Sequence, residues 1–117
     1  MTTANSPSRR MTSRIAVPVD TWVYWHCRGR EDISRVRDLS PAGLFLETPK
    51  LFPADTETFL HFLVQEGGIA AQAVIRHALP GTGLGLKFVS LREEHRRQLV
   101  ALMNRLRSMA RFEDNTK

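Results

Sequence analysis

Between Ile15 and Val89 short β-favouring runs alternate with turns built on glycine and proline, and this punctuation restricts the fold more than any other feature of the chain. Ile15, Val17 and Val19 alternate ahead of Thr21-Trp22-Val23-Tyr24-Trp25, a run dense in residues that suit a pleated surface. Pro18 has no N–H to give to a ladder, so it predicts an edge position or a bulge. A charged turn around Gly29 leads to a second strand, Ile33–Arg37, which runs into the turn Asp38–Gly43. Gly43–Thr48 reads as a third strand, stopped by Pro49 and Pro53, and Thr58–Val64 as a fourth, followed by a Gly67-Gly68 turn. Ile69–His77 gives a fifth, with Ala70, Gln72 and Val74 facing away from Ala71, Ala73 and Ile75. After the hairpin turn Pro80–Gly83, Leu84–Val89 gives the sixth. Short strands at this spacing predict a mainly β chain, closed or nearly closed into a small barrel.

The period then changes once. Ser90 and Glu93 have the spacing of a capping box, and Leu99, Leu102, Met103, Leu106 and Met109 form one apolar stripe among arginines and glutamates. The pattern predicts an amphipathic C-terminal helix whose stripe caps an open end of the barrel. Residues 1–13, rich in Ser, Thr and Arg, predict a flexible arm. The barrel and helix are expected over 14–112, with a polar tail over 113–117.

Composition narrows the function classes. With 42% hydrophobic and 25% charged residues, the 117-residue chain can bury an ordinary core in a single domain. No run approaches the ~18 apolar residues of a membrane helix, and the N-terminus lacks the apolar stretch of a secretory signal. The single Cys27 has no internal disulfide partner, and no Cys/His spacing fits zinc. A cytoplasmic chain with no cofactor and no membrane insertion is expected. His26, His61, His77 and His95 are scattered without a nucleophile beside them, and no carboxylate pair suggests acid–base work, so an enzyme is not expected. Gly81-Thr-Gly-Leu-Gly85 has the wrong spacing for a phosphate loop and precedes a strand, which predicts a hairpin with backbone close to the barrel wall.

The charge balance points to a ligand class. The net charge is +5, and 14 of the 17 cationic residues are arginine. Arginine grips phosphate with a planar fork and stacks on flat rings, so an anionic, nitrogen-rich partner fits. A basic surface without a ligand is the plain alternative. Two clusters stand out. Arg9-Arg10-Met-Thr-Ser-Arg14 gathers three arginines where the arm meets the first strand. Asp38-Leu-Ser40-Pro-Ala-Gly43 sets Asp38 and Ser40 on one side of an extended segment and ends on a glycine that supplies a positive φ or a close backbone approach. Arg76, at the end of the fifth strand, reads as an exposed charge that could flank the same site.

Arg10-x-x-x-Arg14 followed by Asp38-x-Ser40-x-x-Gly43 resembles the two-part motif of PilZ domains, bacterial receptors for cyclic di-GMP. The arm, the six strands, the Gly-Leu-Gly-Leu-Lys-Phe last strand and the closing helix fall where a single-domain member has them. The resemblance implies a six-stranded antiparallel β-barrel with a C-terminal helix. It also implies a non-enzymatic receptor whose arm changes conformation on binding and which signals to a protein partner in motility, biofilm or exopolysaccharide control. Arg10 and Arg14 then suit the guanine edge and the phosphates, Asp38 the guanine N1–H and N2–H₂, and Ser40 a hydrogen bond to base or phosphate, while Gly43 lets the ligand lie against backbone. An arginine just before the first motif arginine, here Arg9, resembles members that take an intercalated pair of ligand molecules. The alternatives are a basic barrel for single-stranded nucleic acid and a PilZ-fold adaptor that binds no nucleotide.

Overall fold

The computed structural model describes residues 14–115, so the arm expected over 1–13 lies outside it. Among the described residues seven strands precede one helix: β1 Ile15–Ala16, β2 Trp22–Cys27, β3 Arg30–Ser40, β4 Gly43–Glu47, β5 Glu57–Val64, β6 Gly67–Leu79, β7 Gly83–Ser90 and α1 Glu93–Asn115. Six of them form a closed antiparallel barrel in the order β3-β2-β5-β6-β7-β4, with β4 pairing back on β3. Closure leaves the barrel without a free edge, as the strand spacing predicts.

β1 is the additional strand, and it explains Pro18. The segment that reads as one strand is two, both lying along the same edge of β3: β2 pairs with Arg30–Arg35 and β1 with Asp38 and Leu39. Val17 N donates to Arg37 O at 3.0 Å, and Val36 N donates to Thr21 O at 2.8 Å. Between those bonds the chain leaves the ladder around Pro18, which could not have donated to it.

Two expected turns are shorter than their sequences suggest. Asp38, Leu39 and Ser40 remain in β3, because β1 and β4 occupy both of its edges there, and only Pro41 and Ala42 make the turn. Likewise Gly67 and Gly68 start β6, and the turn falls on Gln65 and Glu66. Gly67 keeps a glycine's φ of +122°, and a side chain at Gly68 would meet the His61 ring at 2.8 Å.

Trp25 fills the barrel interior, its indole N–H donating to Ser34 Oγ at 2.9 Å and its ring meeting Phe52 edge-on at 6.0 Å. The apolar stripe of α1 joins the same cluster: Leu99, Leu102, Met103 and Leu106 are buried and Met109 packs against them. Each such side chain stabilises the fold by roughly 1.5–3 kcal/mol. The helix start differs from the capping box. Ser90 closes β7, paired with Gln72, and Arg92 is the residue whose carbonyl accepts the first helical bond, from Arg96 N at 2.8 Å. The β ladder claims Ser90 before a helix can use it. At its other end the helix continues past Phe112 to Asn115.

Side-chain bonds latch the helix to β6 and the turn before it. Arg105 grips Glu66 with two bonds, Nε to Oε2 at 2.6 Å and Nη2 to Oε1 at 2.9 Å. Gln98 Nε2 donates to Glu66 O, and Ala70 N donates to His95 Nδ1 at 2.8 Å. The bonds from Arg105 hold the Glu66 carboxyl below its ordinary range. A depressed carboxyl contributes stability above its unfolded pKa and loses it as pH falls through the folded pKa. Glu66→Gln is therefore expected to cost about 1 kcal/mol at pH 7. In urea titrations that deficit should narrow from about pH 5 downward. A deficit unchanged at pH 2 would show that the pair does not latch the helix.

Candidate functional site

Neighbouring residues of a flat strand point to opposite faces, and two bulges suspend that rule here. In β3 the register against β4 shifts between Val36 and Asp38, so Arg37 is the extra residue. In β6 the register against β7 shifts between Ile75 and His77, so Arg76 is the extra residue. As a result Arg37 and Asp38, and likewise Arg76 and His77, line one cleft of about 330 Å³. Arg14, Ala42, Phe45, Gly85, Leu86 and Lys87 complete it. Among the described residues four cationic side chains thus share the cleft with a single carboxylate.

Asp38 organises the cationic side. Arg14 Nη1 donates to its Oδ1 at 2.7 Å and Arg37 Nε to its Oδ2 at 3.3 Å. Arg14 sits just ahead of β1, whose pairing of Ala16 with Asp38 sets the distance between them. Arg37 also lies over the Phe45 ring, its Cζ 3.8 Å from the centroid, which flattens the guanidinium against the floor of the cleft. His77 stands beside Phe45 at 6.4 Å between ring centroids.

The glycines of β7 make room for these rings. A side chain at Gly83 would come within 2.5 Å of the Phe45 ring, and one at Gly85 within 2.5 Å of the His77 ring. The backbone at Gly83 and Gly85 therefore does run close to the barrel wall, whereas Gly81 faces open space and serves the turn with a φ of +76°. Aromatic rings fill the space that its missing side chains leave.

The motif residues divide into two groups. Arg14 and Asp38 stand on the cleft wall. Ser40 and Gly43 lie behind it. The buried Ser40 Oγ accepts from Ala42 N at 3.1 Å and Gly43 N at 3.2 Å and donates to Gly43 O at 3.3 Å, so it ties the β3–β4 turn. Gly43 provides the close approach and not a positive φ: a side chain there would sit 2.0 Å from Leu86 O across the β4–β7 pair. Arg9 and Arg10 lie outside the described residues. Arg76 is exposed, as expected, and also lines the cleft. Arg37, Phe45, His77 and Lys87 escaped sequence reasoning, because alternation along an ideal strand would have separated Arg37 from Asp38 and His77 from Arg76.

Barrel, helix and cleft together define a small β-barrel domain with a cationic pocket beside its β3–β4 turn. The chain belongs to the PilZ domain family, whose model matches residues 8–105. Its fold is similar to the PilZ domain with c-di-GMP of YcgR from Escherichia coli, at a TM-score of 0.76 and 20% identity, covering 93% of this chain and 99% of that one. The Bacillus subtilis inhibitor of motility, MotI/DgrA, aligns at a TM-score of 0.65 and 18% identity over 93% of this chain and 53% of its own. The K. pneumonia MrkH–c-di-GMP complex aligns at 0.69 and 16% identity over 88% of this chain and 53% of its own. No curated protein matches the chain.

Gly43 offers a direct check on how the cleft is held. Gly43→Ala is expected to push β4 off the Leu86 carbonyl and cost about 1–3 kcal/mol. For a domain of this size that lowers the melting temperature by several degrees, on the order of 4–8 °C per kcal/mol. An unchanged melting temperature would show that the β4–β7 approach relaxes freely.

Proposed function

We propose that this chain is a non-enzymatic receptor for cyclic di-GMP. One observation carries the reading: the cleft between the two bulges gathers Arg14, Arg37, Arg76 and Lys87 around Asp38 over an aromatic floor. Relatives of the same fold include a PilZ domain and a full protein described with c-di-GMP. Cyclic di-GMP carries two phosphates and two guanines, so it needs cations, flat surfaces and one well-placed acceptor. Arginine matches the guanine O6/N7 edge in a bidentate way and stacks on the base. Asp38 suits the guanine N1–H and N2–H₂ donors, with Arg14 and Arg37 keeping the carboxylate oriented. Ser40 and Gly43 serve this site by fixing the turn and the β4–β7 spacing behind it.

Arg9 and Arg10 complete the site from the arm. Binding draws the arm onto the ligand and changes the surface offered to a protein partner in the cytoplasm, in the control of motility, biofilm or exopolysaccharide. No helix among the described residues is long and apolar enough to cross a membrane. Nucleic acid is a poorer fit to this site, since its four cations converge on one compact cleft and a single strand asks for an extended groove.

Calorimetric titration with cyclic di-GMP tests the reading. Arg14→Ala is expected to lose about 2–5 kcal/mol of binding, a fall of ~30-fold or more, with its melting curve essentially kept. Asp38→Ala should also narrow the preference for cyclic di-GMP over cyclic di-AMP, because adenine lacks the paired donors. Full affinity in a folded Arg14→Ala protein would overturn the assignment.

The ligand is expected to bind as an intercalated pair. A second molecule brings two more phosphates and another guanine face, which call for extra positive charge. Adjacent residues of an extended segment face opposite sides, which would let Arg9 and Arg10 serve different molecules. Stoichiometry near two per chain, falling toward one in Arg9→Leu with affinity still measurable, is the expected result. A stoichiometry of one at saturation in the unmodified chain rules the pair out.

A further inference from the structure

The outer face of the barrel on β3, β2, β5 and β6, at the other end of β3 and β6 from the cleft, carries large apolar side chains in cross-strand register. Three rows run across it. Arg35, Trp22, Leu63 and Gly68 make the first, Ile33, Tyr24, His61 and Ala70 the second, and Glu31, His26, Phe59 and Gln72 the third. Trp22, Ile33, Phe59 and Leu63 remain 43%, 53%, 39% and 48% exposed. A single exposed apolar residue needs no explanation, but four in adjoining positions form a patch of the kind that marks an interface. The face also holds a concavity of about 510 Å³, bounded by Tyr24, His26, Phe59 and His61 and closed at one side by Arg92. The His26 and Phe59 rings stack there at 5.0 Å.

We propose that this face binds a second copy of the chain, about a two-fold axis lying in the contact plane along the Ile33–Tyr24–His61–Ala70 row. Such an axis sets the first row of one copy against the third row of the other. Leu63 then meets Phe59, and Trp22, the projecting ring, enters the partner copy's concavity at His26. Arg35 comes opposite Glu31. The other in-plane axis, along the strands, would set Arg35 against Gly68 and Glu31 against Gln72, so the charges select the first. In the single chain Arg35 is held by Asp20 and Glu47, and Glu31 accepts from the Tyr24 hydroxyl, which keeps both charges at fixed ends of the patch.

The footprint sets the strength. Four strands ~4.8 Å apart and three rows ~6.8 Å apart cover on the order of 400 Å². That is smaller than the ~800 Å² each partner gives to a standard interface, so the dimer belongs to the weak, concentration-dependent class. Both ligand clefts stay open, because the contact uses the opposite halves of β3 and β6. The proposal therefore stands apart from the nucleotide reading, and either can fail alone.

Sedimentation equilibrium on the full chain tests it. Between about 5 and 500 µM the average mass is expected to rise from 13.3 kDa toward twice that value. Phe59→Lys should stay at the single-chain mass while keeping its melting curve and its response to cyclic di-GMP. As a second arm, His61→Cys lies on the axis and should form a disulfide between copies under mild oxidation, whereas Val100→Cys, also exposed but on α1, should not. The native Cys27 is buried and does not compete. A constant mass to 500 µM, a Phe59→Lys protein that dimerises like the unmodified one, or equal cross-linking at position 100 would each overturn the proposal.

Discussion

The structure hangs on β3 being paired along both edges. On one side it carries β2 and then β1, and on the other it takes β4 and so closes the ring. A strand committed on both sides cannot slip, because a one-residue shift would turn every side chain of the barrel wall to the wrong face. Such a strand tolerates one extra residue, Arg37, as a bulge, since the ladder on either side of it is already fixed. One wall of the cleft follows from that irregularity. Asp38 turns to the same side as Arg37, β1 brings Arg14 to the carboxylate, and the turn tied by Ser40 carries the chain into β4, where Phe45 forms the floor.

The second bulge, at Arg76, answers the first from across the barrel. It places Arg76 and His77 together on the opposite wall, and Gly85 leaves the room that the His77 ring needs. Charges gathered in this way repel one another, and Asp38 offsets part of that repulsion by accepting from two arginines at once. The remaining positive field is available to an anion that excludes water from the cleft, where electrostatic attraction is stronger than on an open surface.

The two halves of the barrel surface have different characters. Around the β3–β4 turn the outer wall is cationic and lined by backbone, while on β2 and β5 it is aromatic and aliphatic. The division runs through the middle of β3 and of β6. A long strand allows this, because its ends serve different surfaces while one continuous ladder keeps them at a fixed distance. The cleft and the apolar face are thus carried by the same strands.

The six strands of the barrel, the closing helix and the cleft residues Arg14 and Asp38 are legible in the chain itself. Apolar alternation, turn residues and the change of period at Ser90 are local signals, and local signals survive without a structure. Pro18 was legible as a disturbance of the ladder, since a missing N–H is a property of one residue, but the division of the first run into β1 and β2 was set by where each pairs along β3. Three further things were decided only by the tertiary structure. Ser90 pairs in β7 and is lost to the helix cap, because a neighbouring strand competes for it. Asp38–Ser40 stay extended, because β1 and β4 both bind them. Arg37, Phe45, His77 and Lys87 enter the site, because bulges reset the facing of side chains and closure brings β3, β4, β6 and β7 around one space. A bulge depends on the register between two strands distant in sequence, and no pattern within either strand records it.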